Sequence, residues 1–307
     1  MIPQPKQIEE ALSSTLTYPQ KIDKIAQIRR WFQPKEDSKI YPQIQTFLST
    51  SDLSHDTFLP QLTAPIDEAL STASHADDLE STWWDLWNSI LHASKRIPYS
   101  TSSTQHERLA SLVEALKSHQ DPTPNNLSSP AWSSLPWLHL AVREAFNDTP
   151  HDDDDSPPSS PALLALEASA FANLNYFLAT LTSSQVAGFA NPFALWSLRS
   201  ALETDFSTTP WCFDARVPAA AVWVTGAIGR IVYETEIDMT PPQGSRQGNP
   251  GKGGELWDGV SGFGKERWGF WKKRFGDVLG IDGVSKETRE VAKRAVEGME
   301  GVEQGKK

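Results

Sequence analysis

The stretch Asp78–Ser94, DLESTWWDLWNSILHAS, places three tryptophans within five residues. At ~100° per residue, about one third of the surface of a helix here carries five large apolar side chains. These are Leu79, Trp83, Leu86, Trp87 and Ile90. The opposite side is polar and holds Asp85, Asn88, Ser89 and His92. The stretch therefore predicts an amphipathic helix with a wide core-facing side.

The tryptophans of this helix allow two interpretations, packing or binding. An apolar stripe at helical spacing belongs to a core more often than to a ligand site, so Trp83 and Trp87 are predicted to be buried. Trp84 lies at the margin of the stripe beside Leu91. Trp84 is therefore the candidate interface residue of this helix.

Helical periodicity recurs along the chain, whereas alternating strand patterns bounded by tight hairpin turns do not. Several helix starts carry a serine or asparagine just before a proline, which is tolerated in a first turn because its missing N–H would be unpaired there. The pairs are Ser134 and Pro136, Ser160 and Pro161, and Asn191 and Pro192. A last helix is predicted to follow Ser285. The predicted fold class is all-α.

The domain organisation follows from composition along the chain. One globular multi-helix domain is predicted over residues 1–307, with its core at about residues 4–300. Residues 147–160, NDTPHDDDDSPPSS, and residues 240–254, TPPQGSRQGNPGKGG, are rich in residues that neither bury area nor continue a helix. They are predicted to be flexible loops, and residues 301–307 a flexible tail.

The charge and cysteine content restrict the class of protein. The formal net charge of −11 argues against a surface that binds nucleic acid or anionic membrane, although residues 244–307 hold 13 basic and 10 acidic side chains. The single cysteine, Cys212, excludes an intrachain disulfide and favours a reducing compartment. The N-terminal residues lack the pattern of a secretory signal. An intracellular protein, cytoplasmic or nuclear, is predicted.

The segment Val217–Tyr233, VPAAAVWVTGAIGRIVY, is apolar enough to raise the question of a membrane span. It is shorter than the ~20 residues that a spanning helix requires, and it contains Arg230. A buried core helix is the better interpretation. No membrane association is predicted, and the protein is expected to be soluble.

The sequence lacks the residue spacings that common metal-binding, phosphate-binding and catalytic motifs require. The seven histidines are scattered, so no zinc site is supported. The glycine-rich GSRQGNPGKGG lacks the first glycine of a P-loop and has Gly253 where a serine or threonine must follow Lys252. The acidic run HDDDDS lacks the glycine and glutamate of a calcium loop. We therefore predict no metal, no cofactor and no assignable catalytic residue.

Four polar residues fall within apolar helical segments, and they define a candidate pocket. They are Asn175, Arg199, Glu203 and Arg230. Asn175 shares a side with Phe171, so burial is expected, and Arg199 and Glu203 are four residues apart and can pair. One interpretation is a structural polar network; the other is that these groups converge on a bound ligand.

A second candidate surface lies in GKERWGFWKKRFGDVL, residues 264–279. Trp268, Trp271, Phe275 and Val278 share one stripe, which predicts a core-facing helix, with Arg267 flanking it. Phe270 points the other way, toward Lys273 and Arg274. An aromatic ring among cations can stack on a nucleic-acid base, and the cations can hold a phosphate. The alternative is that this side of the helix is a solvated basic face without a ligand.

Spaced motifs of this chain resemble those of a family of uncharacterised fungal proteins, domain of unknown function 3632. They include WWDLW, LPWLHLAVREAF, ANLNYFLATLT, LWSLRSALE and ERWGFWKKRF. The resemblance runs from Leu79 to Phe275, and its most specific element is Arg267–Phe275. The acidic insertion after Phe146 and the glycine-rich stretch before Glu255 depart from the pattern. The resemblance implies a helical, fungal, intracellular protein and assigns no catalytic residue.

Three hypotheses for function remain. The leading one is a non-catalytic module that binds an unknown protein or small-molecule partner through a groove lined by tryptophans. The alternative is an enzyme that acts on a small apolar metabolite with Asn175, Arg199 and Glu203. The third is a nucleic-acid binder that uses Lys272–Arg274, and the acidic net charge argues against it.

Overall fold

The structure is a computed structural model that describes residues 4–32, 38–123, 130–150, 154–242 and 248–305. The described residues form thirteen α-helices and two strands of two residues each, so the all-α prediction is confirmed. The chain contacts divide into two compact units, Met1–Asp148 and Thr149–Lys307, called unit 1 and unit 2. The sequence predicts a single domain, which means that the two units do not fold independently of each other. This stays a prediction.

Unit 1 contains seven helices. They are α1 (Gln4–Ser13), α2 (Tyr18–Arg29), α3 (Tyr41–Ser49), α4 (His55–Thr72), α5 (Glu80–Lys95), α6 (Ser103–Lys117) and α7 (Leu138–Phe146). A 3-10 turn, Ala76–Leu79, leads into α5. Helix α5 is central because it packs against α3, α6 and α7.

The predicted core face of α5 is confirmed, since Trp83, Leu86, Trp87 and Ile90 are buried, as is Leu79 in the turn before the helix. The rings of Trp83 and Trp87 stack at 6.5 Å, and Trp132 meets Trp83 edge-on at 5.2 Å. The predicted polar face is buried in part as well. Ser89 Oγ lies 3.0 Å from Ser38 Oγ, and His92 Nε2 lies 2.9 Å from an oxygen of Asp23. Helix α5 is thus enclosed on more than one side.

Burial also controls the protonation of His106 in α6. Its Nε2–H donates to the carbonyl of Ile97 at 2.8 Å, and burial lowers the pKa of His106 from its ordinary 6.5 to about 4. The folded state therefore holds His106 neutral down to about pH 4, whereas the unfolded chain binds a proton below pH 6.5. We expect the free energy of unfolding to fall as pH drops from 6.5 to 4, by up to about 1.4 kcal/mol per pH unit from this group.

Urea titrations between pH 4.5 and 6.5 check this expectation. The His106→Gln variant should show a shallower pH dependence than the wild type, because the titrating group is removed. The exposed His75 provides a matched control, and His75→Gln should leave the slope unchanged. Equal slopes for wild type and His106→Gln would contradict the prediction.

Unit 2 contains six helices and the two short strands. They are α8 (Pro161–Ser183), α9 (Leu195–Leu202), α10 (Trp211–Ala221), α11 (Gly226–Glu234), β1 (Ile237–Asp238), β2 (Gly262–Phe263), α12 (Lys265–Val278) and α13 (Lys286–Glu303). The strands pair antiparallel, with Ile237 opposite Phe263. Helix α10 packs against α8, α9 and α13, and α12 against α9 and α13. The predicted stripe Trp268, Trp271, Phe275 and Val278 is buried.

The predicted helix starts hold in two cases and shift in two. The Ser160 and Ser285 side chains accept hydrogen bonds from Leu163 N and Thr288 N, and so cap α8 and α13. Asn191 and Pro192 lie within a π-type turn, Ala190–Ala194, and α9 begins after that turn, at Leu195. Helix α7 begins at Leu138, two residues beyond Pro136, because Leu135 and Trp137 adopt left-handed backbone conformations.

The apolar segment Val217–Tyr233 is divided between α10 and α11, which meet at an 89° bend. Among the described residues, α8 is the single unbroken helix that is long and apolar enough to cross a membrane. However, 67% of its most apolar 18-residue window is buried within the protein. A buried core helix can have the same length and composition, and burial of this kind is typical of one.

Candidate functional site

Asn175 is fully buried in α8, and its amide is paired entirely within unit 2. Its Oδ1 accepts from Ser197 Oγ at 2.8 Å and from Trp223 Nε1 at 2.7 Å. Its Nδ2 donates to the carbonyl of Phe171 at 2.9 Å. This amide therefore ties α8 to α9 and to Trp223, two residues beyond the end of α10.

Glu203, just after α9, is fully buried, and its partner is Arg267 of α12. The guanidinium makes a bidentate contact, with Nε at 2.7 Å from Oε1 and Nη2 at 2.9 Å from Oε2. Trp271 Nε1 donates to Oε1 at 2.6 Å, and Gly254 N donates to Oε2 at 2.7 Å. Four N–H donors thus satisfy a carboxylate that would otherwise be costly to bury.

The other donors of Arg267 bind backbone carbonyls of the glycine-rich segment. Nη1 donates to Gly251 O at 2.8 Å and to Gly262 O at 2.7 Å, while Nη2 reaches Lys252 O at 3.4 Å. The five N–H groups of the guanidinium are therefore all used. We call this arrangement the Glu203–Arg267 clamp, because it fixes residues 250–263 against α9 and α12.

Arg199 joins the same segment rather than Glu203. Its Nη1 donates to Lys252 O at 3.1 Å and to Pro250 O at 3.4 Å. Burial lowers the pKa of the Arg199 guanidinium below its ordinary value, while the nearby Glu203 carboxylate opposes that shift. Arg230 is half-buried on α11. The hydrogen bonds of Asn175 and those of Glu203 form two separate networks.

Arg267 is the central residue that the sequence did not single out as polar and buried. A signal for it exists, because Arg267 stands four residues before Trp271 and eight before Phe275, on the edge of the apolar stripe of α12. An arginine in that position is buried only if a carboxylate pairs with it. Its partner lies 64 residues away in sequence, and local spacing does not indicate that partner.

The glycine-rich segment approaches its neighbours closely. A Cβ on Gly254 would lie 2.6 Å from the Glu203 carbonyl oxygen, and a Cβ on Gly259 would lie 2.4 Å from the ring of Trp257. Only glycine fits at such distances. Residues 250–254 of the predicted loop 240–254 are thus held in place by contacts with the fold. The predicted flexibility of the loop stays a prediction.

The segment presents apolar side chains to solvent. Leu256 is 39% exposed and Val260 is 59% exposed. The half-buried ring of Trp257 lies 5.4 Å from that of Phe270 in α12, and Trp257 Nε1 donates to Val260 O at 3.1 Å. These four residues form what we call the 256–270 surface.

The predicted basic face beside Phe270 is occupied by contacts within unit 2. Lys273 Nζ lies 2.8 Å from Asp277 Oδ2, although the lysine side chain is 72% exposed. Arg274 Nε donates to Leu202 O at 2.9 Å, at the end of α9. Both cations therefore have partners in the folded protein, which weakens the nucleic-acid interpretation.

Trp84 lies at the surface of unit 1 and belongs to an apolar cluster. Its half-exposed ring is 6.1 Å from that of Trp137, and its Nε1 donates to Glu80 Oε1 at 3.2 Å. Trp137 has a φ of 65°, which is unusual for a bulky residue. Leu140, one turn further along α7, is 47% exposed. We call Trp84, Trp137 and Leu140 the Trp84 surface.

Acidic residues flank the Trp84 surface along the chain. Four carboxylates lie on α5, on the turn before it and on α7, and none of them forms a salt bridge within the described residues. They are Asp78, Glu80, Asp85 and Glu144. Hydrogen bonds from backbone and neutral side chains leave these carboxylates charged, and the exposed Arg143, one turn beyond Leu140 on α7, offsets one of the four charges. The residues that flank the Trp84 surface therefore carry more negative than positive charge.

A shallow groove of about 420 Å³ lies between α1 and α2 of unit 1, with Gln7, Glu10, Ser14, Leu16 and Lys24 in its lining. None of the predicted pocket residues lines it. Its lining is formed by side chains of two surface helices and the turn that joins them.

Neither of two groups with nucleophilic chemistry, the Cys212 thiol and the Ser111 hydroxyl, is activated. Cys212 is buried, and that burial raises the pKa of its thiol, so the unreactive thiol form is favoured. Ser111 Oγ lies 2.9 Å from His55 Nε2, but the hydroxyl donates to the carbonyl of Arg108, also at 2.9 Å. In the described ranges, no three histidine, cysteine or acidic side chains cluster as metal ligands would.

These features define an all-α protein whose buried polar side chains bind one another and several of whose tryptophans are partly exposed, Trp31 the most, at 53%. The chain belongs to the family described as "Protein of unknown function (DUF3632)", whose model matches residues 87–275. This membership confirms the family resemblance seen in the sequence. No curated protein and no solved structure was found to match the chain.

Proposed function

We propose that this protein is a non-catalytic module that binds a partner protein through the Trp84 surface. The observation that carries the proposal is the exposure of Leu140 next to the half-exposed pair of Trp84 and Trp137. Exposed aromatic clusters bordered by polar residues are typical of interaction sites, and tryptophan contributes strongly to binding energy.

The backbone of the Trp84 surface supports the same proposal. Trp137 occupies a left-handed conformation, which costs about 1–3 kcal/mol for a non-glycine residue. Such strain persists where the surrounding fold imposes it, and it is concentrated at functional sites. Here the strained residue places an indole beside Trp84 at the surface rather than in the core.

The buried polar residues support binding over catalysis. Asn175 and Glu203, assigned to a metabolite pocket in the enzyme hypothesis, have their polar atoms occupied by protein partners. A group that is to bind a substrate or move a proton needs a free position directed at a cavity. The Asn175 and Glu203 networks are therefore better explained as structural connections.

The partner is expected to be a protein rather than a nucleic acid. The carboxylates around the Trp84 surface repel polyanions, and the net charge of the chain is −11. Solubility, a fungal source and an intracellular, cytoplasmic or nuclear, location are part of the same proposal.

Leu140→Asp tests the Trp84 surface in an affinity capture from cells that express the protein, read by quantitative mass spectrometry. We expect a partner that the wild type captures to be depleted at least about tenfold, which corresponds to 1.4 kcal/mol. Leu279→Asp is the matched control, because Leu279 is 40% exposed and lies in unit 2.

The control variant should retain the partner at the wild-type level. Both leucines are exposed, so both variants should unfold at nearly the wild-type temperature, and that measurement verifies their folding. A partner that Leu140→Asp retains, or a catalytic activity that depends on Asn175 or Glu203, would refute the proposal.

A further inference from the structure

Seven serine or threonine residues of this chain stand directly before a proline, and three of the seven lie within residues 149–161. The pairs are Thr123–Pro124, Ser129–Pro130, Thr149–Pro150, Ser156–Pro157, Ser160–Pro161, Thr209–Pro210 and Thr240–Pro241. We infer that Ser156 is a phosphorylation site for a proline-directed protein kinase. Its exposure and its backbone conformation distinguish this serine from the others.

Exposure separates Ser156–Pro157 from the other pairs. Ser156 and Pro157 are both exposed. In each of the four other pairs that the structure describes in full, at least one member is buried or half-buried. These members are Pro150, Ser160, Thr209, Pro210 and Pro241. A kinase has to enclose both residues of the pair, so it can reach Ser156–Pro157 in the folded protein.

The proline is the recognition element because it lacks a backbone N–H. A kinase subsite without an acceptor for that N–H accepts proline and leaves a buried donor unpaired with other residues. The Ser156 Oγ then attacks the γ-phosphorus of Mg²⁺-bound ATP, and a catalytic aspartate of the kinase takes the hydroxyl proton. The bond from this phosphorus to the bridging oxygen breaks, so the products are phosphoserine and ADP.

The backbone around Ser156 suits a kinase cleft. None of residues 154–160 belongs to a helix or a strand. The ring of Pro157 also biases Ser156 toward an extended conformation. A substrate serine that is already in an irregular segment needs no local unfolding before it binds, whereas one in a helix does.

Ser160–Pro161 provides an internal comparison four residues further along the chain. Ser160 Oγ accepts a hydrogen bond from Leu163 N at 3.3 Å as the cap of α8, and Pro161 is the first residue of that helix. A kinase could use Ser160 only after the first turn of α8 had unwound. The fold therefore protects Ser160 and leaves Ser156 accessible, although both precede a proline.

The added phosphate would stand next to an ion pair that fixes this segment. The Asp154 carboxylate contacts Arg216 Nη2 on α10, and the Arg216 guanidinium lies 4.8 Å from the centre of the Phe206 ring. Two residues of chain keep the Cα atoms of Asp154 and Ser156 within about 7 Å. A phosphate of charge about −1.5 to −2 repels the carboxylate and competes with it for Arg216. Phosphorylation thus controls how residues 154–160 attach to α10.

Incubation of the folded full chain with a purified cyclin-dependent kinase, ATP and Mg²⁺ tests the inference, with each site quantified by mass spectrometry. A synthetic peptide of residues 154–170 is the reference, because it shows the preference of the kinase for the two serines without the fold. We expect the ratio of the Ser156 rate to the Ser160 rate to be at least about tenfold higher in the folded chain than in the peptide.

Three variants of the full chain make the test specific. Pro157→Ala keeps the Ser156 hydroxyl and should slow its phosphorylation at least about tenfold, because the alanine N–H is left unpaired. Pro158→Ala is the matched control and should leave the rate unchanged. Ser156→Ala should remove the signal. Thermal unfolding verifies that each variant is folded.

Three results would overturn the inference. They are a folded chain in which Ser156 is not phosphorylated, equal rate ratios in folded chain and peptide, and a Pro157→Ala rate equal to that of the wild type. The assignment of Arg216 has its own measurement, a titration of the phosphoserine by phosphorus NMR. Arg216→Gln should raise the second pKa of the phosphate, because a cation that favours the dianion is removed. An unchanged pKa would show that the phosphate does not compete for Arg216.

Discussion

Replacing Arg267 with methionine is expected to lower the free energy of unfolding by about 3–5 kcal/mol. The substitution leaves the Glu203 carboxylate fully buried with two N–H donors, from Gly254 and Trp271, and without a cation. It also removes the donors that bind the carbonyls of Gly251 and Gly262. Urea denaturation followed by tryptophan fluorescence and far-UV circular dichroism measures the loss.

Two companion variants identify the cause. Lys273→Met removes an exposed ion pair with Asp277 and should cost at most about 1 kcal/mol. The double variant Glu203→Leu, Arg267→Met should be more stable than Arg267→Met alone, because it leaves no unpaired buried charge. If Arg267→Met costs no more than Lys273→Met, the clamp does not stabilise the fold.

The helices of the core could be predicted because their signal is local. The stripes of α5 and α12 repeat at three and four residues, and burial of Trp83, Trp87, Trp271 and Phe275 follows from that repeat. Periodicity specifies which side of a helix is apolar. It does not specify how many neighbours pack on the helix, and for this reason the burial of His92 on the other side of α5 was missed.

The candidate site could be predicted only in part, for the same reason. Burial of Asn175 followed from its position beside Phe171 on an apolar side. The spacing of Arg199 and Glu203 suggested a pair within one helix turn, but Glu203 binds the distant Arg267 instead. An interaction between residues far apart in sequence is set by the packing of helices, which the sequence pattern alone does not reveal.

The two surfaces show a further limit of sequence patterns. Trp84 stood out because it lies at the margin of a helical stripe, where partial exposure is expected. Leu256 and Val260 lie in an irregular segment without periodicity, so their exposure could not be predicted. Their positions depend on the Glu203–Arg267 clamp and on close contacts that only glycine permits.

Replacing Asn175 with leucine is expected to lower the free energy of unfolding by about 2–4 kcal/mol. The leucine has a similar size but leaves Trp223 Nε1 and Ser197 Oγ without the acceptor they share. Each buried donor that loses its partner costs about 1–3 kcal/mol. Thermal and urea unfolding measure the change, and Ser197→Ala, which removes one donor and leaves the other paired, should cost about 0.5–1.5 kcal/mol.

The sign of the Asn175→Leu effect separates the structural interpretation from the ligand-binding one. A buried amide kept for a ligand lowers the stability of the empty protein, so its replacement by leucine would leave the free energy of unfolding unchanged or raise it. A structural amide gives the opposite result. The double variant Asn175→Leu, Ser197→Ala should cost less than the sum of the two single variants, because one donor is then removed together with the acceptor. A stabilised Asn175→Leu variant would revive the enzyme hypothesis, since Asn175 would then be held in the core at the expense of stability.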